Sequence, residues 1–133
     1  MAALTADRRT PERDPVLNEH PHKLGVVIYR GALVVLDANG DCEPGRTATG
    51  LKAAGRAETG TNDVNRPDGR VRVRRGTFCF ANSTAADAIG AGDYGATVYI
   101  VDDQTVAKTD GGGTRSAAGV CRGVDAGGVW VEF

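Results

Sequence analysis

Four short apolar runs, ATVYIV, QTVAK, AAGVCRGV and GVWVEF, follow one another from residue 96 to residue 133, separated by DD, TDGGGTRS and DAGG. None is long enough for a packed helix, and their Val, Ile, Tyr and Trp content suits strands. Short strands at regular intervals with turn residues between them predict an antiparallel meander, and so a small β-barrel or sandwich. Composition agrees. The chain holds 19 glycines in 133 residues, about twice the usual share of roughly 7%, and lacks the long Leu, Glu, Lys and Gln runs that build helices. The expected fold is all-β, with at most one short helix. That helix is placed in STAADAIGAGDYG, where Thr84 and Asp87 have capping-box spacing and Gly90 supplies a stop.

The earlier part of the chain carries the same signals less regularly. LGVVIYR and GALVVLD read as β-branched strands, the second reversing at Asn39-Gly40, a strong hairpin signal. Asp37, Asn39 and Asp41 begin with calcium-loop spacing, but Cys42 stands where that loop needs Gly and Ala48 where it needs Glu. Residues 43–69 read as a long excursion with one short strand at LKAAGRAE. In GRVRVRRGTFCFAN, Val71 and Val73 share one face and Arg70, Arg72 and Arg74 the other. Phe78 and Phe80 then fall on the opposite parity, which predicts a bulge or a sheet-switching bend near Arg75-Gly76.

Residues 1–22 show no apolar period and contain Pro11, Pro15 and Pro21 among mixed charges. They are expected to form an extended N-terminal arm ahead of a β-domain over residues 23–133. His20 and His22 alone make an incomplete metal-ligand set. Cys42, Cys79 and Cys121 form no CxxC pair and, being odd in number, are expected to be reduced thiols of a protein made in a cytoplasm. No run has the length of a membrane span or the form of a secretion signal. The formal charge of −1 gives no general attraction to polyanions.

Chemistry finds little to hold. Asp102 and Asp103 are adjacent, so on a strand they point to opposite faces and in a turn both lie in solvent. Neither placement lets two carboxylates share a proton, and a turn role is expected. Gly111-Gly112-Gly113 is followed by neither the lysine nor the helix of a phosphate loop, and reads as a flexible hairpin loop. A Ser-His or Cys-His nucleophile would need the arm to fold over the barrel. No catalytic residue, cofactor or metal is therefore expected, and the chain is not read as an enzyme. The rival reading is a small β-barrel that binds single-stranded nucleic acid through the Arg75 to Phe80 strand. RGTFCF is similar to strands that stack bases on aromatic rings, and five arginines lie between Arg66 and Arg75. The net charge and the ordinary role of alternate Phe residues as core weigh against it.

Taken in order, VVIYRGALVVLDANGDCEP, RVRRGTFCFANS, YGATVYIVDDQTVAKTDGGGTRSAAGV and DAGGVWV resemble the head decoration, or capsid cement, proteins of tailed bacteriophages. The resemblance covers residues 24–133 and implies a structural virion protein. Such a protein binds the outside of an expanded capsid, commonly as a homotrimer, and stabilises it by linking neighbouring capsomers. Its partners would be the major capsid protein and itself, with no nucleic acid and no membrane. Candidate contact residues are Arg70, Arg72 and Arg74, which suit carboxylates of a neighbouring subunit. Tyr99 and Val101, on the second apolar face of ATVYIV, join them where that face meets another subunit instead of a loop of the same chain; so does Trp130 of GVWVEF, which is either an interface anchor or, by its place near the C-terminus, a plug for the barrel end.

Overall fold

The parity change at Arg75-Gly76 is where the chain passes from one sheet to another. The computed structural model describes residues 2–62 and 69–133; Arg66 lies outside the described residues. Strands β1 (Leu17–Pro21), β2 (Leu33–Leu36), β3 (Cys42–Pro44), β4 (Lys52–Ala57) and β5 (Arg70–Arg74) form one sheet in the order β1-β5-β4-β2-β3. Strands β6 (Thr77–Asn82), β7 (Thr97–Ile100), β8 (Thr105–Ala107), β9 (Ala117–Asp125) and β10 (Gly128–Glu132) close into a barrel in the order β10-β6-β8-β7-β9. The fold is all-β, mostly antiparallel, and the expected bend is a change of sheet. Val71 and Val73 face the core of the first sheet, and Phe80 faces that of the barrel.

Strand β2 joins the two halves because both its faces are buried. Leu33 and Val35 pack into the barrel core with Phe80, Val98, Ile100, Val106, Val129 and Val131. Val34 turns the other way, against Ile28, Cys42, Val71 and Val73. Burying such side chains stabilises by about 1.5–3 kcal/mol each, so β2 couples the two cores. Hydrogen bonds reinforce the joint: Leu33 N–H donates to the Asp103 carbonyl at 2.8 Å, and the Thr47 hydroxyl to the Val101 carbonyl at 2.8 Å.

The turn after β2 forms as its residues predict. Gly40 takes φ 82°, and the Asp37 carboxylate accepts the N–H groups of Asn39 at 2.8 Å and Asp41 at 3.1 Å. At Gly55, φ is 139° and a Cβ would run into the Arg74 carbonyl. Only glycine lets β4 approach β5 this closely.

Five expectations are corrected. LGVVIYR is not a strand: Ile28 is fully buried as a plug while Leu24, Val27 and Tyr29 stay exposed. The segment straps the first sheet through Thr61, whose hydroxyl accepts the Ile28 N–H at 3.1 Å. The C-terminal strands are not a simple meander, because β8 gives its second edge to β6 in parallel, which leaves β9 to pair with β7. The glycine loop is accordingly no hairpin turn; Arg115 holds it, donating to the Thr109 carbonyl at 3.0 Å and to Asp87 at 3.3 Å. The helical segment is two single 3₁₀ turns, Ala85–Asp87 and Ala91–Asp93, and Thr84 makes no side-chain cap. Finally, the arm does not run free to residue 22, since Leu17–Pro21 pairs along β5 as an edge strand.

Candidate binding surface

Arg70, Arg72 and Arg74 do share a face of β5, but they are held within the chain. Arg72 meets Glu19, its register partner on β1, at 3.2 Å. Arg74 Nε donates to Glu58 at 3.0 Å. The same carboxylate accepts from Arg56, whose guanidinium lies 4.2 Å from the Phe78 ring centroid. Glu58 is thereby held below the ordinary carboxylate range, chiefly by the Arg56 hydrogen bond, with Arg74 adding to it. Arg56 registers with both Leu33 and Arg74, so this arginine face is the one that Leu33 lays on the barrel. Arg70, at the end of the row, lines a cleft of about 320 Å³ with Arg13, Leu17, Asn18 and Glu19.

The aromatic strand that suggested base stacking turns its rings inward. Phe80 is 5% exposed and meets Phe133 edge-on at 5.7 Å; Phe78 lies 6.3 Å from Phe133 and is capped by Arg56. A base needs an open ring face; the Phe80 ring is buried, and Arg56 occupies a face of the Phe78 ring.

Asp102 is a turn residue: its carboxylate accepts the Gln104 N–H at 2.9 Å. The Asp103 carbonyl receives Leu33, as described above. His20 is half-buried on β1 and held below its ordinary pKa, first by burial and then by Arg70 and Arg13. His22 lies apart, its Nδ1 3.1 Å from the Lys23 carbonyl. Among the described residues, no three His, Cys, Asp or Glu side chains gather as metal ligands. The three thiols are unpaired, and burial pushes that of Cys42 up to about 11.

In the barrel, Val98 and Ile100 point inward, while Tyr99 and Val101 are half-buried on the outer side. Trp130 does not plug the barrel. Val129 and Val131 take the inward positions of β10, so strand parity sends Trp130 outward, where its indole N–H donates to Asp125 at 2.8 Å. The contact candidates thus fall on separate surfaces: arginines on the first sheet, Tyr99, Val101 and Trp130 around the barrel.

One feature escaped the sequence reading. Asn18 and His20 register with Val73 and Val71, on the opposite face of the sheet from the arginines. There they line a cleft of about 410 Å³ with Leu36, Lys52, Ala54 and Arg75. Nothing in the sequence marks Lys52, because a lysine opening a weak strand has no distinguishing pattern.

Residues 2–16 are exposed throughout. They are anchored where β1 starts: the Asp14 carboxylate accepts the N–H groups of Val16 at 2.7 Å and Leu17 at 3.1 Å, bonds that hold it below its ordinary pKa. The Val16 carbonyl accepts from Arg75 N–H at 2.7 Å. The exposed stretch ahead of this anchor is residues 2–13, with Arg13 beside the body. Among the described residues no helix is long and apolar enough to cross a membrane. Fold and surface together define a small all-β protein, a closed five-stranded barrel joined to a second sheet that carries an exposed arm. No protein-family model, curated protein or solved structure matches the chain.

Proposed function

We propose that the protein is a structural component of a phage virion, bound to the outside of the capsid and stabilising it by linking neighbouring capsomers. The resemblance of residues 24–133 to head decoration proteins suggests the role. The observation that carries it is the arm: a fully exposed, proline-bearing segment leaves the body at a fixed point beside β1. A clamp works by summing modest contacts, and an extended arm of this length reaches roughly 35 Å at about 3.1 Å per residue. Several arms on one oligomer, such as a trimer, would act through effective concentration, so that release is slow although each contact is weak. The contacts would be with the major capsid protein and other copies of the chain. Co-sedimentation with expanded and unexpanded capsids of the encoding phage tests this reading. Saturable binding to the expanded form is expected; no binding to either form would overturn it.

A further inference from the structure

After the arm, the described lysines and arginines are almost all engaged. Lys23 and Arg46 hold Glu43, Arg56 and Arg74 hold Glu58, and Arg72 holds Glu19. Lys108 pairs with Asp93, Arg115 with Asp87 and Arg122 with Glu132, and Arg30 and Arg70 are engaged as well. Lys52 and Arg75 alone make no side-chain ion pair or hydrogen bond with a described residue, and both line the 410 Å³ cleft. The Asn18 carboxamide there is also unbonded. Lys52 opens β4 opposite Leu36, and Arg75 follows β5, so the two cations approach the cleft from different strands. Two like charges gathered in a concavity repel one another until an anion arrives.

We propose that this cleft receives the carboxylate side chains of an acidic segment of a protein partner. Arg75 offers a planar fork for bidentate pairing, Lys52 a second cation and Asn18 an amide donor. Leu36 and Ala54 supply apolar contact for the methylenes of a glutamate. A polynucleotide would need the row of cations to continue, yet Arg72 and Arg74 are already neutralised by Glu19 and Glu58 on the other face, and the formal charge is −1. This assignment does not depend on the capsid reading, and it is tested without capsids.

The test uses the full chain, ¹⁵N-labelled, titrated at low salt with the capped peptide acetyl-Gly-Glu-Glu-Leu-Glu-Gly-amide, with inorganic phosphate, and with a short oligothymidylate. Saturable peptide-induced shifts are expected at Asn18, His20, Lys52 and Arg75. Affinity should fall at least about tenfold in Lys52→Gln/Arg75→Gln and stay unchanged in Lys108→Gln. Both cleft cations are exposed, and the single exchanges Lys52→Glu and Arg75→Glu provide independent variants with the same expected loss. Three results would overturn the assignment: equal peptide affinity in the cleft variants, no saturation at millimolar peptide, or tighter binding of phosphate or oligothymidylate than of peptide at these residues.

Discussion

The barrel and the first sheet each have five strands, yet they are finished differently. Every barrel strand is paired on both edges, and its inward row of Val98, Ile100, Val106, Val129 and Val131 is sealed from solvent. Its carboxylates serve local order: Asp102 and Asp125 cap turns, and Asp87 holds the glycine loop through Thr109 and Arg115. In the first sheet, the edge strands touch at one end, through the His22–Cys42 bridge and the Cys42 thiol, which donates to the His20 carbonyl at 3.7 Å. One face carries a ladder of ion pairs, the other a cleft with two unneutralised cations, and the arm leaves from its edge. A closed region with satisfied turns is suited to be scaffold, whereas the half with free charge and free chain is suited to meet a partner.

The largest predicted effect tests whether the halves are one folding unit. Leu33 belongs to the first sheet by pairing and to the barrel by packing, so Leu33→Ala should cost about 2–5 kcal/mol. Trp130 fluorescence, which reports the barrel, and far-ultraviolet circular dichroism, which reports both sheets, should follow a single shifted transition. Two separate transitions would show the cores to be independent. Next in size, Gly55→Ala should cost about 1–3 kcal/mol, because it meets both the Arg74 carbonyl and an unfavourable φ. Amide exchange should quicken first in β4 and β5, and a loss centred on the barrel would contradict the placement. The smallest effect is on pH. The folded pKa of Glu58 is depressed, so its stabilisation is complete above the ordinary value of 4.5 and is lost as pH falls through the folded value. Glu58→Gln should therefore flatten the acid side of a melting-temperature profile, and the surface position limits the effect to about 0.5 kcal/mol. An unchanged acid limb would mean that the arginine ladder contributes nothing to stability.

What was legible in the sequence was local. The parity of Val71 and Val73 against Phe78 and Phe80 located the change of sheet, Asn39-Gly40 the turn after β2, and the adjacency of Asp102 and Asp103 their turn role. The failures were relations between distant segments. The parallel pairing of β6 with β8 joins Ala81 to Thr105, and no local pattern announces it. VVIY has the composition of a strand, but its backbone bonds are those of a loop: Val26 N–H donates to the Lys23 carbonyl at 3.4 Å, Thr61 N–H to the Ile28 carbonyl at 3.0 Å and Ala32 N–H to the Tyr29 carbonyl at 3.1 Å. Nearness to the C-terminus suggests a plug at Trp130, whereas parity between two inward valines sends it outward. The edge pairing of LNEHP was hidden because polar Asn18 and His20 line the open cleft while Glu19 takes the other face, which leaves no apolar face to read. Lys52 and Arg75 became conspicuous only once the partners of the other cations were known.

The central claim is that the barrel is scaffold while the first sheet and its arm do the binding. The direct measurement is retention on expanded capsids, by sedimentation after dilution, of the full chain and of a variant lacking residues 2–13. The deletion stops short of Asp14 and β1, because removing Leu17–Pro21 would expose the β5 edge and destabilise the body. The predicted result is an unchanged melting temperature with retention lost at least about tenfold faster. Equal retention of both proteins would contradict the claim and leave the body alone as the clamp.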